Sequence, residues 1–209
     1  MSSVRYPGKV LAPINGKAVI SQLLDRIEKV FPMDRVIVLT SDDVSDDPIV
    51  GFLDRLGVKT FRGSLCDVFD RFRKCLIKFE CDWFFRISAD SPLFEGDLVR
   101  FMSKFIDRRD VDIVTNLFPR SFPKGHSLEM IKSNVFATID TETLTPDQKE
   151  HVTKVYYDNH RDYSIMNVHS GKTGLASMNF CVDTLEDLRR LERMSNGIKN
   201  EYDYSVELR

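Results

Sequence analysis

The sequence predicts an α/β fold, a mixed and mostly parallel sheet with helices on both faces. Three observations predict it. Between Arg35 and Phe61 a β-branched strand, a proline-started helix and a second strand follow one another at short spacing, which suits parallel strands joined by crossover helices. Trp83-Phe-Phe-Arg86 is bulky and runs through Ile87-Ser88-Ala89 into Asp90-Ser-Pro-Leu93, the mark of a buried strand ending at a loop. The 209 residues, 42% hydrophobic and 30% charged, suffice for one domain with a full core. In open sheets of this class ligands sit beyond the carboxyl ends of strands. Arg86 and Asp90 therefore fall where chemistry is expected, although the same two residues could simply pair with each other.

Taken in order, Met1 to Lys9 reads as a loop that can present Arg5 and Lys9 to an anion, with backbone N–H groups of Ser2 and Ser3 nearby. The alternative for this stretch is a solvated terminus. Lys17 to Phe31 places Val19, Ile20, Leu23, Leu24, Ile27 and Phe31 on one helical face. Arg35–Thr40 is a strand, Asp46-Asp47-Pro48 starts a helix that Gly57 stops, and Val58–Phe61 is the next strand. Arg62-Gly63-Ser64 is expected to open a helix with Leu65, Val68, Phe69, Phe72 and Leu76 inward. Ser64 and Asp67 have capping spacing, and Arg71 follows one turn later. Glu95 to Arg108 reads as a helix and Val111–Asn116 as a strand.

After Asn116 the alternation weakens. Phe118–Gly125 is a loop, and Ser127–Ile131 is a strand carrying Glu129, an acid expected on a solvent face unless it has a task. Thr145-Pro-Asp-Gln148 is a capping-box start for a helix that holds His151, a residue more often structural than catalytic in such a place. The chain reads as a single domain over residues 1–209, with 118–170 an elaboration serving as a lid or dimer arm. Leu175–Val182 is expected to be a second long buried strand. Asp183 at its exit repeats the position of Asp90, and two such carboxylates converging on one crevice make a cradle for Mg²⁺. Thr184 and Asp187 have capping spacing for a helix from Leu185 to Met194, and the tail from Asn196 onward is expected to be mobile.

A net charge of −2 and a pI near 6.1 argue against nucleic acid or membrane surfaces as partners. No apolar run approaches the roughly 20 residues of a membrane helix, and Pro7, Gly8, Lys9 and Pro13 interrupt any leader-like apolar stretch. Cys66, Cys75, Cys81 and Cys181 form no C-x-x-C pair and read as reduced, mostly buried thiols of a cytoplasmic protein.

Met1-Ser-Ser-Val-Arg-Tyr-Pro-Gly-Lys-Val10 resembles the nucleotide-binding loop of the cytidylyltransferases that make CMP-sugars. The likeness is greatest to the spore-coat polysaccharide branch, related to CMP-sialic acid and CMP-3-deoxy-manno-octulosonate synthetases. Asp46–Ile49, Phe61–Ser64 with Asp67 and Arg71, Arg86–Leu93, Gly125–Glu129, Glu150–Thr153 and Val182–Asp187 look like its further blocks in the same order. The resemblance implies a Rossmann-like nucleotide-diphospho-sugar transferase fold that activates a sugar or sugar acid with CTP and releases pyrophosphate. It further implies that Arg5 and Lys9 hold the triphosphate and that Asp90 and Asp183 hold Mg²⁺. By the same likeness Ser2, Ser3, Gly63, Ser64, Asp67, Arg71 and Arg86 line the nucleotide, Glu129 and His151 face the sugar, and the chain forms a homodimer.

Two features depart from the pattern. The family has a strand ahead of the phosphate loop, and Met1 stands where that strand would have ended, so the first strand is expected to be missing. Gly125-His-Ser-Leu-Glu129 replaces the usual Gly-Leu-Asp-Val-Glu. Two other readings fit the residues: a glycosyltransferase of similar fold, disfavoured because Asp90 lacks an Asp-x-Asp partner, and a truncated, inactive nucleotide-binding or oligomerisation module.

Overall fold

The computed structural model describes residues 5–194 and 202–209. A turn over Lys9–Leu11 and a short hairpin, β1 (Pro13–Ile14) and β2 (Lys17–Ala18), lead into α1 (Val19–Glu28). Helix α1 buries Val19, Ile20, Leu23, Leu24 and Ile27, the apolar face its spacing announces. β3 (Ile37–Ser41) is followed by α2 (Asp47–Arg55), which carries Pro48 in its first turn and is closed by Gly57 at φ 68°. β4 (Lys59–Gly63) runs parallel to β3, with Ile37 opposite Lys59 and Ser41 opposite Gly63. Then come α3 (Val68–Lys78), β5 (Trp83–Arg86), α4 (Asp97–Met102), β6 (Ile113–Thr115) and β7 (Glu129–Lys132). Three short helices, α5 (Ser133–Thr138), α6 (Pro146–Glu150) and α7 (Lys154–Asp158), precede β8 (Ile165–His169), α8 (Leu185–Met194) and β9 (Ser205–Leu208).

Five strands form one mixed sheet in the order β5-β7-β6-β8-β9. β6 and β8 are parallel and the other ladders antiparallel. Successive residues of a strand face opposite sides, and this alternation divides the core. On one face Val114, Met130 and Met166 pack with Leu23, Ile27, Leu98 and Met102 of α1 and α4. On the other, Ile113, Ile131 and Ile165 pack with Phe69, Phe136, Val155 and Tyr156 of α3, α5 and α7. Each such side chain withdrawn from water contributes about 1.5–3 kcal/mol before entropy is counted. No helix among the described residues is long and apolar enough to cross a membrane.

Several expectations are corrected. Among the described residues β3 pairs only with β4 and β5 only with β7, so Trp83–Arg86 are half-exposed instead of enclosed as a central strand. Residues 118–170 contribute β7 and β8 to the sheet, where both flank β6. Asn167 hides β8 in the sequence by breaking its apolar run. It is satisfied in place, accepting from the Phe118 N–H (3.0 Å) and donating to the Pro119 carbonyl (3.0 Å). Leu175–Val182 is not a strand of the sheet. Its first part is a 3-10 turn, and the rest bonds to loops, with Phe180 N–H donating to Lys124 O (2.7 Å) and Val182 N–H to Asp90 O (2.9 Å). The tail includes β9, paired with β8 from Met166 opposite Leu208 to His169 opposite Ser205, while Asn196–Glu201 lie outside the described residues. Helix α3 begins at Val68, leaving Leu65 exposed. Cys66 and Cys81 are exposed and only Cys75 is fully buried; all four thiols are free.

Candidate active site

Asp90 lies just beyond β5. The Val182–Asp90 backbone bond draws the segment ending in Asp183 alongside it, and Asp187 accepts from the N–H groups of Asp183 and Thr184 at the start of α8 (3.2 and 3.0 Å). Lys9 arrives from the N-terminal turn, where Gly8 takes a left-handed φ of 72°. Its Nζ donates to Asp90 Oδ2 at 2.6 Å and to Asp183 Oδ1 at 2.8 Å, and Arg5 Nη2 stands 3.2 Å from the same Asp183 oxygen. Burial opposes the Lys9 charge, but Asp90 and Asp183 more than offset it and hold the ammonium above its ordinary pKa. Arg86 and Asp90 therefore do not pair with each other.

A single cation thus already bridges the two carboxylates expected to hold a metal. No set of three or more His, Cys, Asp or Glu side chains able to hold a metal ion occurs among the described residues. Two carboxylates with remaining positions left to water and phosphate oxygens are a donor set that suits Mg²⁺.

The loop before α3 is built around Arg71. A Cβ on Gly63 would meet Arg71 Cγ at 3.0 Å, so the glycine makes room for the arginine. Arg71 is buried and donates through Nε (3.0 Å) and Nη2 to the Ser64 carbonyl. Ser64 Oγ accepts from Asp67 N–H (3.0 Å), and Asp67 caps α3 by accepting from Asp70 N–H (2.8 Å). Gly63, Ser64, Asp67 and Arg71 hence form one braced loop, with Arg71 turned onto the backbone. Ser2 and Ser3 lie outside the described residues.

Glu129 corrects the expectation of a solvent face. It is fully buried, with Oε2 accepting from Arg86 Nη1 (3.0 Å) and Oε1 from Thr153 Oγ1 (2.7 Å) and Tyr157 OH (3.2 Å). Tyr157 OH in turn takes a bond from Thr115 Oγ1 (2.8 Å), and the Phe118 ring stacks on Tyr157 at 5.2 Å. Glu129 raises the Arg86 pKa, and burial raises that of the Tyr157 phenol, so Arg86 stays charged and the phenol neutral. Glu129 orients Arg86, whose other guanidinium nitrogens make no bond among the described residues.

His151 is exposed at the end of α6, with Nε2 3.5 Å from Asp147 Oδ1. The helix expected there breaks into α6 and α7, turning His151 outward and Thr153 and Tyr157 inward. Thr153 and Tyr157 were not legible as site residues. Their i, i+4 spacing facing an acid-bearing strand was the available signal.

The cytidylyltransferase family model matches residues 1–207. The chain is 30% identical to the uncharacterized protein MJ1063 of Methanocaldococcus jannaschii, over 75% of this chain and 63% of that protein. It is also 30% identical to the spore coat polysaccharide biosynthesis protein SpsF of Bacillus subtilis, over 77% of this chain and 67% of SpsF. The chain thus spans about two-thirds of the length of these relatives. A cytidylyltransferase structure from Leptospira borgpetersenii superposes with a TM-score of 0.88 at 23% identity, covering 97% of this chain and 86% of that one. CMP-2-keto-3-deoxy-manno-octonic acid synthetase in complex with CTP superposes with a TM-score of 0.66 at 19% identity, covering 93% of this chain and 94% of that one. With the family model matched along nearly its whole length, the chain belongs to the cytidylyltransferase family.

Proposed function

We propose that this chain transfers CMP from CTP to a sugar or sugar acid, with release of pyrophosphate, in the cytoplasmic synthesis of a surface polysaccharide or glycan. The observation that carries this reading is Lys9 bridging Asp90 and Asp183 beyond β5, with Arg5 beside them. A hydroxyl oxygen of the acceptor forms a bond to the α-phosphorus, the bond to the bridging oxygen breaks, and pyrophosphate leaves with that electron pair. The hydroxyl proton passes to solvent. Such transfer demands positioning and charge neutralisation more than covalent catalysis.

Lys9 and Arg5 supply the positive charge that the triphosphate requires. Asp90 and Asp183 would hold Mg²⁺, which when bound neutralises phosphate oxygens and orients them. Arg86, fixed by Glu129, presents its remaining N–H groups to the same crevice.

The test is pyrophosphate release from each of the four nucleoside triphosphates, with Mg²⁺ and a panel of sugars and sugar acids, for the wild type and Asp90→Ala. CTP-selective release that disappears in Asp90→Ala is the expected result. Release that is indifferent to the base, or that survives in Asp90→Ala, contradicts the reading.

A further inference from the structure

The turn that carries Gly125 and His126, where the sequence departs from the family pattern, touches both segments that bear the paired carboxylates. His126 is fully buried in the loop between β6 and β7. Its Nε2 lies 2.7 Å from the Leu93 carbonyl, which can only accept, so Nε2 carries the proton. In the neutral ring Nδ1 is then the acceptor for Tyr202 OH, also at 2.7 Å. Leu93 follows shortly after Asp90, in a turn closed by Phe94 N–H donating to Ser91 O (3.1 Å). The same imidazole lies 5.1 Å from the Phe180 ring, shortly before Asp183. Gly125 permits this approach. Its φ is 94°, and a Cβ there would meet the Phe180 carbonyl carbon at 2.7 Å and its oxygen at 2.9 Å. Lys124 ties the turn to that segment twice more, accepting from Phe180 N–H (2.7 Å) and donating to Met178 O (3.0 Å).

The Val182–Asp90 backbone bond fixes one point where the two carboxylate segments meet, and His126 fixes another. Tyr202, ahead of β9, holds the imidazole in its tautomer through the hydroxyl and packs its own ring on Phe122 at 5.0 Å. Ligand groups of a metal site must be held to within about half an ångström by the side chains around them. The loss of such a supporting bond typically costs about 10–100-fold in metal affinity.

We propose that His126 is a positioning residue for the Asp90–Asp183 pair. By donating to the Leu93 carbonyl and packing on Phe180 it sets the separation at which the two carboxylates receive Mg²⁺ with the triphosphate, and Tyr202 locks it there. This rests on the reading of the chain as a cytidylyltransferase whose metal is held by those two residues.

The experiment measures CTP affinity by calorimetry with and without Mg²⁺ for the wild type, His126→Ala, His126→Gln and Tyr202→Phe, at a temperature where each is folded. Phe136→Leu serves as a control for lost stability, since Phe136 stacks on Phe69 in the core at 4.2 Å, away from the carboxylates. The expected result is that His126→Ala loses about tenfold of the tightening by Mg²⁺. His126→Gln, whose amide can still donate to Leu93, regains it to within about threefold, and Tyr202→Phe loses at least about threefold. Metal-free affinity stays within about twofold throughout, and Phe136→Leu matches the wild type. Full tightening in His126→Ala, or in Tyr202→Phe should the alanine variant not fold, overturns this inference alone. An equal loss in Phe136→Leu, or a metal-free affinity that falls in step in the His126 variants, also overturns it, leaving His126 a role in stability only. A wild type that binds CTP without any tightening by Mg²⁺ overturns the metal assignment and this inference with it. A wild type that does not bind CTP removes the cytidylyltransferase reading itself.

Discussion

Two charge clusters stand near the carboxyl end of β5, and they are built to opposite ends. Lys9, Asp90 and Asp183 meet from segments far apart in the chain, with side chains 16%, 21% and 30% exposed. Arg86, Thr153 and Tyr157 meet around Glu129, which is 0% exposed, with the Phe118 ring stacked on Tyr157 and the Arg86 side chain 22% exposed. In the first cluster water and ligands reach the ions, so the ammonium can exchange one anionic partner for another at small cost. In the second the acid has no contact with water, so a partner taken from it is not replaced, which is expensive. The open cluster is suited to binding, and the closed one holds Arg86 in place.

The comparison breaks most visibly at Asp90. Asp90→Ala should lower CTP-dependent pyrophosphate release by about a thousandfold while changing unfolding free energy by no more than about 1 kcal/mol, because Lys9 keeps Asp183 as a partner. Urea unfolding beside the rate assay checks both halves. Glu129→Ala should behave in the opposite sense. It removes the fully buried acid that Arg86, Thr153 and Tyr157 all bond and should cost about 3 kcal/mol of stability. A loss below about 1 kcal/mol would remove the distinction between the clusters.

A smaller effect follows from His126, which accepts from Tyr202 OH at Nδ1 and donates from Nε2 to the Leu93 carbonyl, each at 2.7 Å. Burial pushes its pKa down to about 4 from an ordinary 6.5. Between those values the unfolded chain binds a proton that the folded chain refuses, so stability falls as pH drops from 6.5 toward 4. The loss is about 3 kcal/mol at the bottom of the window and absent above pH 7. Denaturation midpoints of the wild type and His126→Gln across this range measure it, and parallel profiles would show that His126 is not the group responsible. At the small end, His151→Ala should shift stability by less than about 0.5 kcal/mol and leave the rate unchanged, since its imidazole meets only the exposed Asp147. A tenfold loss of rate would return His151 to the site.

The first half of the fold was legible because local rules agree there. The apolar face of α1, the proline start of α2 and the parallel pair β3 and β4 all follow from short-range pattern. So do the capping boxes, since Thr145 with Gln148 and Thr184 with Asp187 bond as their spacing predicts. The second half was less legible, because β8 carries Asn167 within its buried run and β9 is a polar edge strand whose tyrosines do the packing. Tyr204 lies against Phe101 at 4.7 Å and Tyr202 against Phe122 at 5.0 Å. The same division holds at the site. Asp90 sits beyond a strand end, as its pattern predicts, and Lys9 lies in a loop readable from composition; Asp183 was reached through a strand that does not form. Thr153 and Tyr157 share one helical face by spacing, but that this face meets Glu129 is decided by tertiary packing.

The most direct measurement of the central claim is CTP affinity with and without Mg²⁺, by calorimetry, for the wild type and the Asp90→Asn/Asp183→Asn double variant. The account predicts that Mg²⁺ tightens binding at least tenfold in the wild type and leaves the double variant unchanged. Equal tightening in both proteins, or none in the wild type, would contradict the assignment of these two carboxylates to the metal.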